Sequence, residues 1–154
     1  MFEGTGNMDR SGSISNWFLK PLMDRIEIVA GEPRELLIRQ SEENAVPLSL
    51  EQFGTAIDWS SLPHCEVEFD YEGSEAEVRA SLSVSDLLNC DRLMVITSQD
   101  EPVLLVATEV FFENWYSFWA ASGYMQLIVL SKDGRFFMEF EDNSSLLYSN
   151  FKIG

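Results

Sequence analysis

At 154 residues and 45% apolar, the chain suits one domain with a sizeable core, whereas two domains would each be small and poorly buried. Its 26 acidic residues against 10 basic ones give a net charge of −16, a field that repels nucleic acid and anionic membrane and favours basic partners or cations. No run approaches the roughly 18–20 apolar residues of a membrane span and no secretory leader is visible. Cys65 and Cys90 make neither a disulfide framework nor a CxxC motif, so a cytoplasmic protein is expected.

Residues 1–13, rich in Gly, Ser and Asn, are expected to form a flexible N-terminal segment ahead of a single domain over 14–154. Ser15 can cap a short helix over NWFLKPLMDR carrying Trp17, Phe18, Leu22 and Met23, with Pro21 ending its first turn or starting it. Ile26 and Ile28, then Leu36 and Ile38, flank the turn-like Ala30-Gly31-Glu32-Pro33 and predict a first hairpin. Ser49 with Gln52 is a capping-box signal for a short helix that turns Leu50, Phe53 and Ile57 inward, ending at Trp59.

From His64 the pattern is strict alternation: Cys65, Val67, Phe69 and Tyr71 on one face, Glu66, Glu68, Asp70 and Glu72 on the other. Gly73-Ser74 reads as a two-residue turn into a return strand with Ala76, Val78, Ala80 and Leu82 inside and Glu75, Glu77 and Arg79 outside. That register sets Glu72 against Glu75 and Asp70 against Glu77, like charges whose cross-strand contact is unfavourable, and only Glu68 against Arg79 is attractive. Ser83 and Ser85 signal a short helix through Leu87 and Leu88. Leu93–Thr97 and Val103–Thr108 read as buried strands.

Glu109–Ser122, EVFFENWYSFWAAS, is the segment against which a sheet would be built. At 100° per residue Phe111, Phe112, Trp115, Tyr116, Phe118 and Trp119 share an arc of roughly 160°. Their full burial would contribute on the order of 20–35 kcal/mol, an upper bound. An aromatic ligand box is the alternative reading of this stripe. Gly123 is a natural stop. MQLIVLS, Lys132-Asp133-Gly134-Arg135 and FFMEFE make the strongest hairpin signal, with Asp-Gly suited to a type I′ turn, and LLYSNFKI adds a last edge strand. The expected class is therefore α+β: a largely antiparallel sheet built from hairpins, packed against one aromatic-rich helix and a few short helices.

The acidic hairpin is the feature that stability alone does not explain, and it reads as a docking face for a basic protein. Glu66, Glu68, Asp70, Glu72, Glu75 and Glu77 are the expected charged contacts, with Tyr71 and Trp59 as anchors. The bland alternative is a solvated face that keeps an acidic protein soluble. No DxDxDG loop supports a calcium site, and one imidazole with two thiols is a poor zinc set, so no metal and no cofactor is expected. His64 and the adjacent Cys65 point to opposite faces of a strand and cannot pair as base and nucleophile; no GxSxG elbow, P-loop or GxGxxG is present. His64 reads as a surface or turn histidine, Cys90 as a small buried hydrophobe.

These readings point to a noncatalytic binding protein that neutralises a basic partner. Its most concrete version is a bacterial immunity protein or antitoxin that blocks a nuclease-type toxin, without direct nucleic-acid or membrane contact. A nucleic-acid mimic that inhibits a DNA-binding enzyme and a chaperone for a secreted effector share the same acidic footing, and a carboxylate-dependent hydrolase is the surviving enzyme reading. Oligomeric state is not legible.

Overall fold

The computed structural model describes residues 17–49, 55–68, 75–141 and 146–153. Seven strands, β1 (Ile26–Val29), β2 (Cys65–Glu68), β3 (Arg92–Ile96), β4 (Val103–Ala107), β5 (Gln126–Ser131), β6 (Phe137–Glu141) and β7 (Leu146–Ser149), pair antiparallel in the order β1-β4-β3-β5-β6-β7-β2. The fold is α+β, as its hairpin signals predict. β3 to β6 are near-continuous buried runs because both faces of the sheet are covered.

On one face lies α3 (Thr108–Ala121), flanked by α2 (Glu75–Ser83) and by 3₁₀ segments at Trp17–Arg25 and Asp86–Asn89. Phe111, Phe112, Trp115, Phe118 and Trp119 of α3 are buried against Leu93, Val95, Leu127, Val129 and Phe140, so the aromatic stripe is core. Trp115 stacks on Phe140 with centroids 5.7 Å apart, and its indole N–H donates to the Glu75 carbonyl at 3.0 Å. Tyr116 is half-buried, its ring 6.1 Å from that of Tyr124. α3 is kinked at Asn114 (φ −124°, ψ 20°), whose side-chain amide donates to the Val110 carbonyl. Gly123, at φ +77°, closes the helix with its N–H on the Ala120 carbonyl.

The second face is covered by α1 (Pro33–Asn44), by Val46 and Leu48, and by residues 56–62. Leu36, Leu37, Ile57 and Trp59 pack there on Met94, Ile96, Leu105, Ile128 and Leu130. Among the described residues no helix is long and apolar enough to cross a membrane.

Several local expectations are corrected. Leu36 and Ile38 lie in α1, not in a return strand: Pro33 at the first helical position and the Glu35 carboxylate accepting the Glu32 amide start a helix that buries Leu36, Leu37 and Gln40. Residues 75–83 form α2, not a hairpin arm. Val78 and Leu82, four apart, are buried together, Ala76 and Ala80 are exposed, and Glu75 pairs with Arg79 at 3.0 Å across one turn. The cross-strand pairs of Glu75, Glu77 and Arg79 therefore do not exist. The i, i+2 and i, i+4 rows share Val78 and Leu82, which is why the pattern admits both structures.

The N-terminal helix is a 3₁₀ segment with Pro21 inside it, and it buries Leu19 and Leu22 while Trp17 and Met23 are exposed. The helix predicted over Leu50 and Phe53 lies outside the described residues, but Ile57 bridges to Leu48 in antiparallel fashion. The 3₁₀ helix at Asp86–Asn89 is capped by Ser85, as predicted. In the β5–β6 turn only Gly134 (φ +71°) has positive φ, and its N–H donates to the Ser131 carbonyl at 3.0 Å, so the turn is not type I′. Finally β7 is not an edge strand, because β2 pairs along its outer side.

Candidate functional site: an acidic end of the sheet

The strand register gives the molecule two distinct ends. Val29 faces Val103, Ile96 faces Ile128, Gln126 faces Glu141, and Leu146 faces both Glu141 and Glu68, so these residues share one end. At the other end Arg92 faces Ala107, Leu93 faces Ser131, and Ser149 faces both Met138 and Cys65. Seven strands at about 4.8 Å make each end about 29 Å wide.

Acidic side chains occur at both ends, but cations do not distribute evenly. Arg25, Arg92, Lys132 and Arg135 gather at the second end, next to β1, β3 and the β5–β6 turn. Arg92 is paired with Glu27 at 2.6 Å, and the Arg135 guanidinium lies 5.2 Å from the Phe136 ring centre. The first end carries Glu68 on β2, Asp100 and Glu101 in the β3–β4 turn, and Glu32 at the start of α1, with Arg34 following in the first turn of α1. Two adjoining clefts open there and share Glu101. One is lined by Glu32, Gln99, Asp100 and Glu101, the other by Trp17, Phe18, Ser98, Glu101 and Gly123, and among the described residues no Lys or Arg lines either.

The residues predicted as contacts fall into four groups. Glu66 and Glu68 are exposed on β2 at the sheet edge, alternating with half-buried Cys65 and Val67, so about 6.6–6.8 Å separates their positions. Glu75 and Glu77 are exposed in the first turn of α2, where acidic side chains suit the helix N-terminus, and Glu75 is occupied by Arg79. Asp70, Tyr71 and Glu72 lie outside the described residues. Trp59, the other expected anchor, is buried, stacked on Tyr148 at 5.6 Å, and its indole N–H donates to Glu139 at 3.0 Å.

His64 borders the edge strand with both ring nitrogens engaged, Nδ1 on the Leu62 carbonyl at 3.0 Å and Nε2 on the Glu66 carboxylate at 2.7 Å. Both partners are acceptors, so the geometry fits the doubly protonated imidazolium. The Leu62 carbonyl and then the Glu66 carboxylate raise its pKa above the ordinary 6.5. Cys90, half-buried rather than buried, lines a cleft at the opposite end with Arg92, Lys132 and Arg135, and burial pushes its thiol pKa up.

Glu139 was not singled out by motif or charge pattern. It sits in the middle of β6, fully buried, and its carboxylate accepts from the amides of Ala56 (2.7 Å) and Ile57 (3.2 Å), from Trp59 Nε1 (3.0 Å) and from Gln126 Nε2. Burial raises its pKa, and the four donors oppose the rise. The carboxylate thereby pins the 55–59 stretch onto the sheet. Its one signal in the sequence is a Glu inside the apolar run FFMEFE.

No protein-family model matches the chain, and no curated protein matches it in sequence.

Proposed function

We propose that this protein is a small acidic binding protein that takes up a basic protein partner at the acidic end of its sheet. The observation that carries the reading is the placement of charge along the strands: two adjoining clefts lined by Glu32, Asp100 and Glu101 and, among the described residues, by no cation, with Glu68 exposed at the same end of the sheet on edge strand β2, four strands or about 19 Å across from β3. A net charge of −16 steers a cationic partner inward from a distance, and the placement of the carboxylates orients it. The most concrete version remains a bacterial immunity protein or antitoxin in the cytoplasm, noncatalytic and without cofactor, covering the phosphate-binding surface of a nuclease-type toxin. The nucleic-acid mimic has less support, because α2 replaces the hairpin arm that would have extended the carboxylate ladder.

The test is affinity capture from the source organism's lysate with the native protein and with a quadruple reversal, Glu66→Lys, Glu68→Lys, Asp100→Lys and Glu101→Lys. A single basic protein retained by the native form, released by raised salt and lost from the reversal supports the reading, and its own activity then identifies the toxin or other partner. Equal capture by both forms would overturn it.

A further inference from the structure

Three of the chain's 10 basic side chains, Arg92, Lys132 and Arg135, line one cleft at the end of the sheet opposite the acidic clefts, together with Asp91, Asp133 and Phe136. Its volume is about 390 Å³, enough for a small molecule. In a chain with 26 acidic residues every cation should find a carboxylate, yet neither Lys132 nor Arg135 forms an ion pair among the described residues. The Arg135 guanidinium lies over the Phe136 ring, 5.2 Å from its centre, and Arg92 gives one nitrogen to Glu27 at 2.6 Å, which leaves the rest of its donor fork.

The acidic groups of the cleft offset these cations only in part. The Asp133 carboxylate is satisfied within the turn, where it accepts from the Ser131 hydroxyl at 2.7 Å and the Arg135 amide at 3.0 Å. Burial, and then Asp133, raise the pKa of Cys90 on the cleft wall, so its thiol stays protonated and adds no charge. Asp91 is the remaining carboxylate. The backbone that presents the two unpaired cations is also fixed: the Lys132 carbonyl accepts from Gln40 Nε2 of α1 at 3.3 Å, and the Arg135 carbonyl accepts from Asn150 Nδ2 at 3.0 Å. A braced turn that displays unpaired cations is preorganised for an anion, because little ordering remains to oppose binding.

Two guanidinium forks and an ammonium around one space match an oxyanion with several terminal oxygens and more than one negative charge. A net charge of −16 disfavours a long polyanion such as nucleic acid, whereas a compact dianion at physiological salt senses mainly the charges within about 8 Å. We propose that this cleft binds a phosphate dianion, free or as the head of a small phosphomonoester. The site is separate from the acidic end and does not depend on the basic-partner reading.

The test titrates the native protein with inorganic phosphate, adenosine monophosphate and adenosine in about 0.15 M chloride, following backbone amides by NMR. Both phosphate probes are expected to shift the amides of Asp91, Gly134 and Arg135 saturably, and adenosine is not. Tighter binding of the monophosphate than of inorganic phosphate assigns an esterified ligand; equal affinity assigns the free ion. Lys132→Gln and Arg135→Gln should each weaken phosphate binding about threefold or more, and Asp91→Asn should tighten it about twofold or more, a gain that no merely structural role would produce. Circular dichroism melts show that each variant folds.

Unchanged affinity in the Lys132→Gln/Arg135→Gln pair would overturn the site, as would the absence of a saturable shift with either phosphate probe below about 10 mM. Equal shifts with adenosine and its monophosphate would overturn it too, since the ring and not the phosphate would then be the ligand. Tighter binding of a single-stranded dodecathymidylate than of the monophosphate would overturn it in favour of nucleic acid.

Discussion

Replacing Glu139 by Ala removes the acceptor for four donors at once. The Ala56 amide and the Gln126 side chain are only part-buried and can turn toward water, but the Ile57 amide and the Trp59 indole N–H are buried and would be stranded. Each stranded donor costs about 1–3 kcal/mol. The buried charge carries a desolvation cost that the substitution relieves, so the net loss should be about 2–4 kcal/mol. For a domain of this size that lowers the melting temperature by roughly 5–15 °C. Urea unfolding followed by circular dichroism measures the loss, and Trp59 fluorescence reports whether the 55–59 stretch has lifted off. The sign with pH is also fixed. The folded pKa lies above the ordinary 4.5, so between those values the folded state holds a proton that the unfolded state has released. Stability therefore falls as pH rises through that window, and Glu139→Gln, which cannot titrate, should lack this slope when compared with the native protein. Unchanged or increased stability in Glu139→Ala would show that the carboxylate is not the clamp its geometry describes.

His64 should titrate above 6.5 by NMR, with a lower value in Glu66→Gln. Because its folded pKa is raised, its contribution to stability is complete below the unfolded value and disappears as pH rises through the folded one. Gly134→Ala forces an L side chain to φ +71° and places a Cβ against Gln40 Oε1 and 2.6 Å from Asn44 Cβ, so a loss of about 2–4 kcal/mol is expected in the same urea assay. Ala80, exposed in the interior of α2, should lose about 1 kcal/mol as Gly. A strand at this position would answer to β-branched residues instead, so Ala80→Thr stabilising the protein would contradict the helix.

The sheet was legible where its physics is local. β3, β4 and the β5–β6 hairpin are apolar runs bounded by polar turns, and α3 announces itself because Phe111, Trp115, Phe118 and Trp119 at helical spacing leave no other way to bury so much aromatic surface. Legibility failed where periods coincide: EAEVRASLS fits a strand with alternate residues in and equally a short helix with Val78 and Leu82 in. Tertiary packing against α3 decides it, including the Trp115 bond to the Glu75 carbonyl forty residues away. The site was partly legible. Glu66 and Glu68 are exposed on a strand as read, but the burial of Trp59 depends on Glu139, a residue whose contacts span some eighty positions of sequence. No local pattern carries such a contact.

Placement of charge, more than its total, should govern association. Strands of about five residues separate the two ends by about 17 Å, roughly two screening lengths at physiological salt. A partner close to the acidic end therefore senses Glu32, Glu68, Asp100 and Glu101 far more than the side chains beyond them. Glu42 and Glu43 lie in the last turn of α1, whose Gln40 bonds the Lys132 carbonyl, and Glu109 and Glu113 lie at the start and middle of α3, which begins where β4 ends; all four are exposed. Converting either set of four to amides leaves the same net charge. If steering by the acidic end is real, stopped-flow association with the captured partner should slow markedly for the first set and little for the second, and the salt dependence should flatten only for the first. Equal slowing by both sets would mean that the net field attracts the partner and that no end of the sheet is built to receive it.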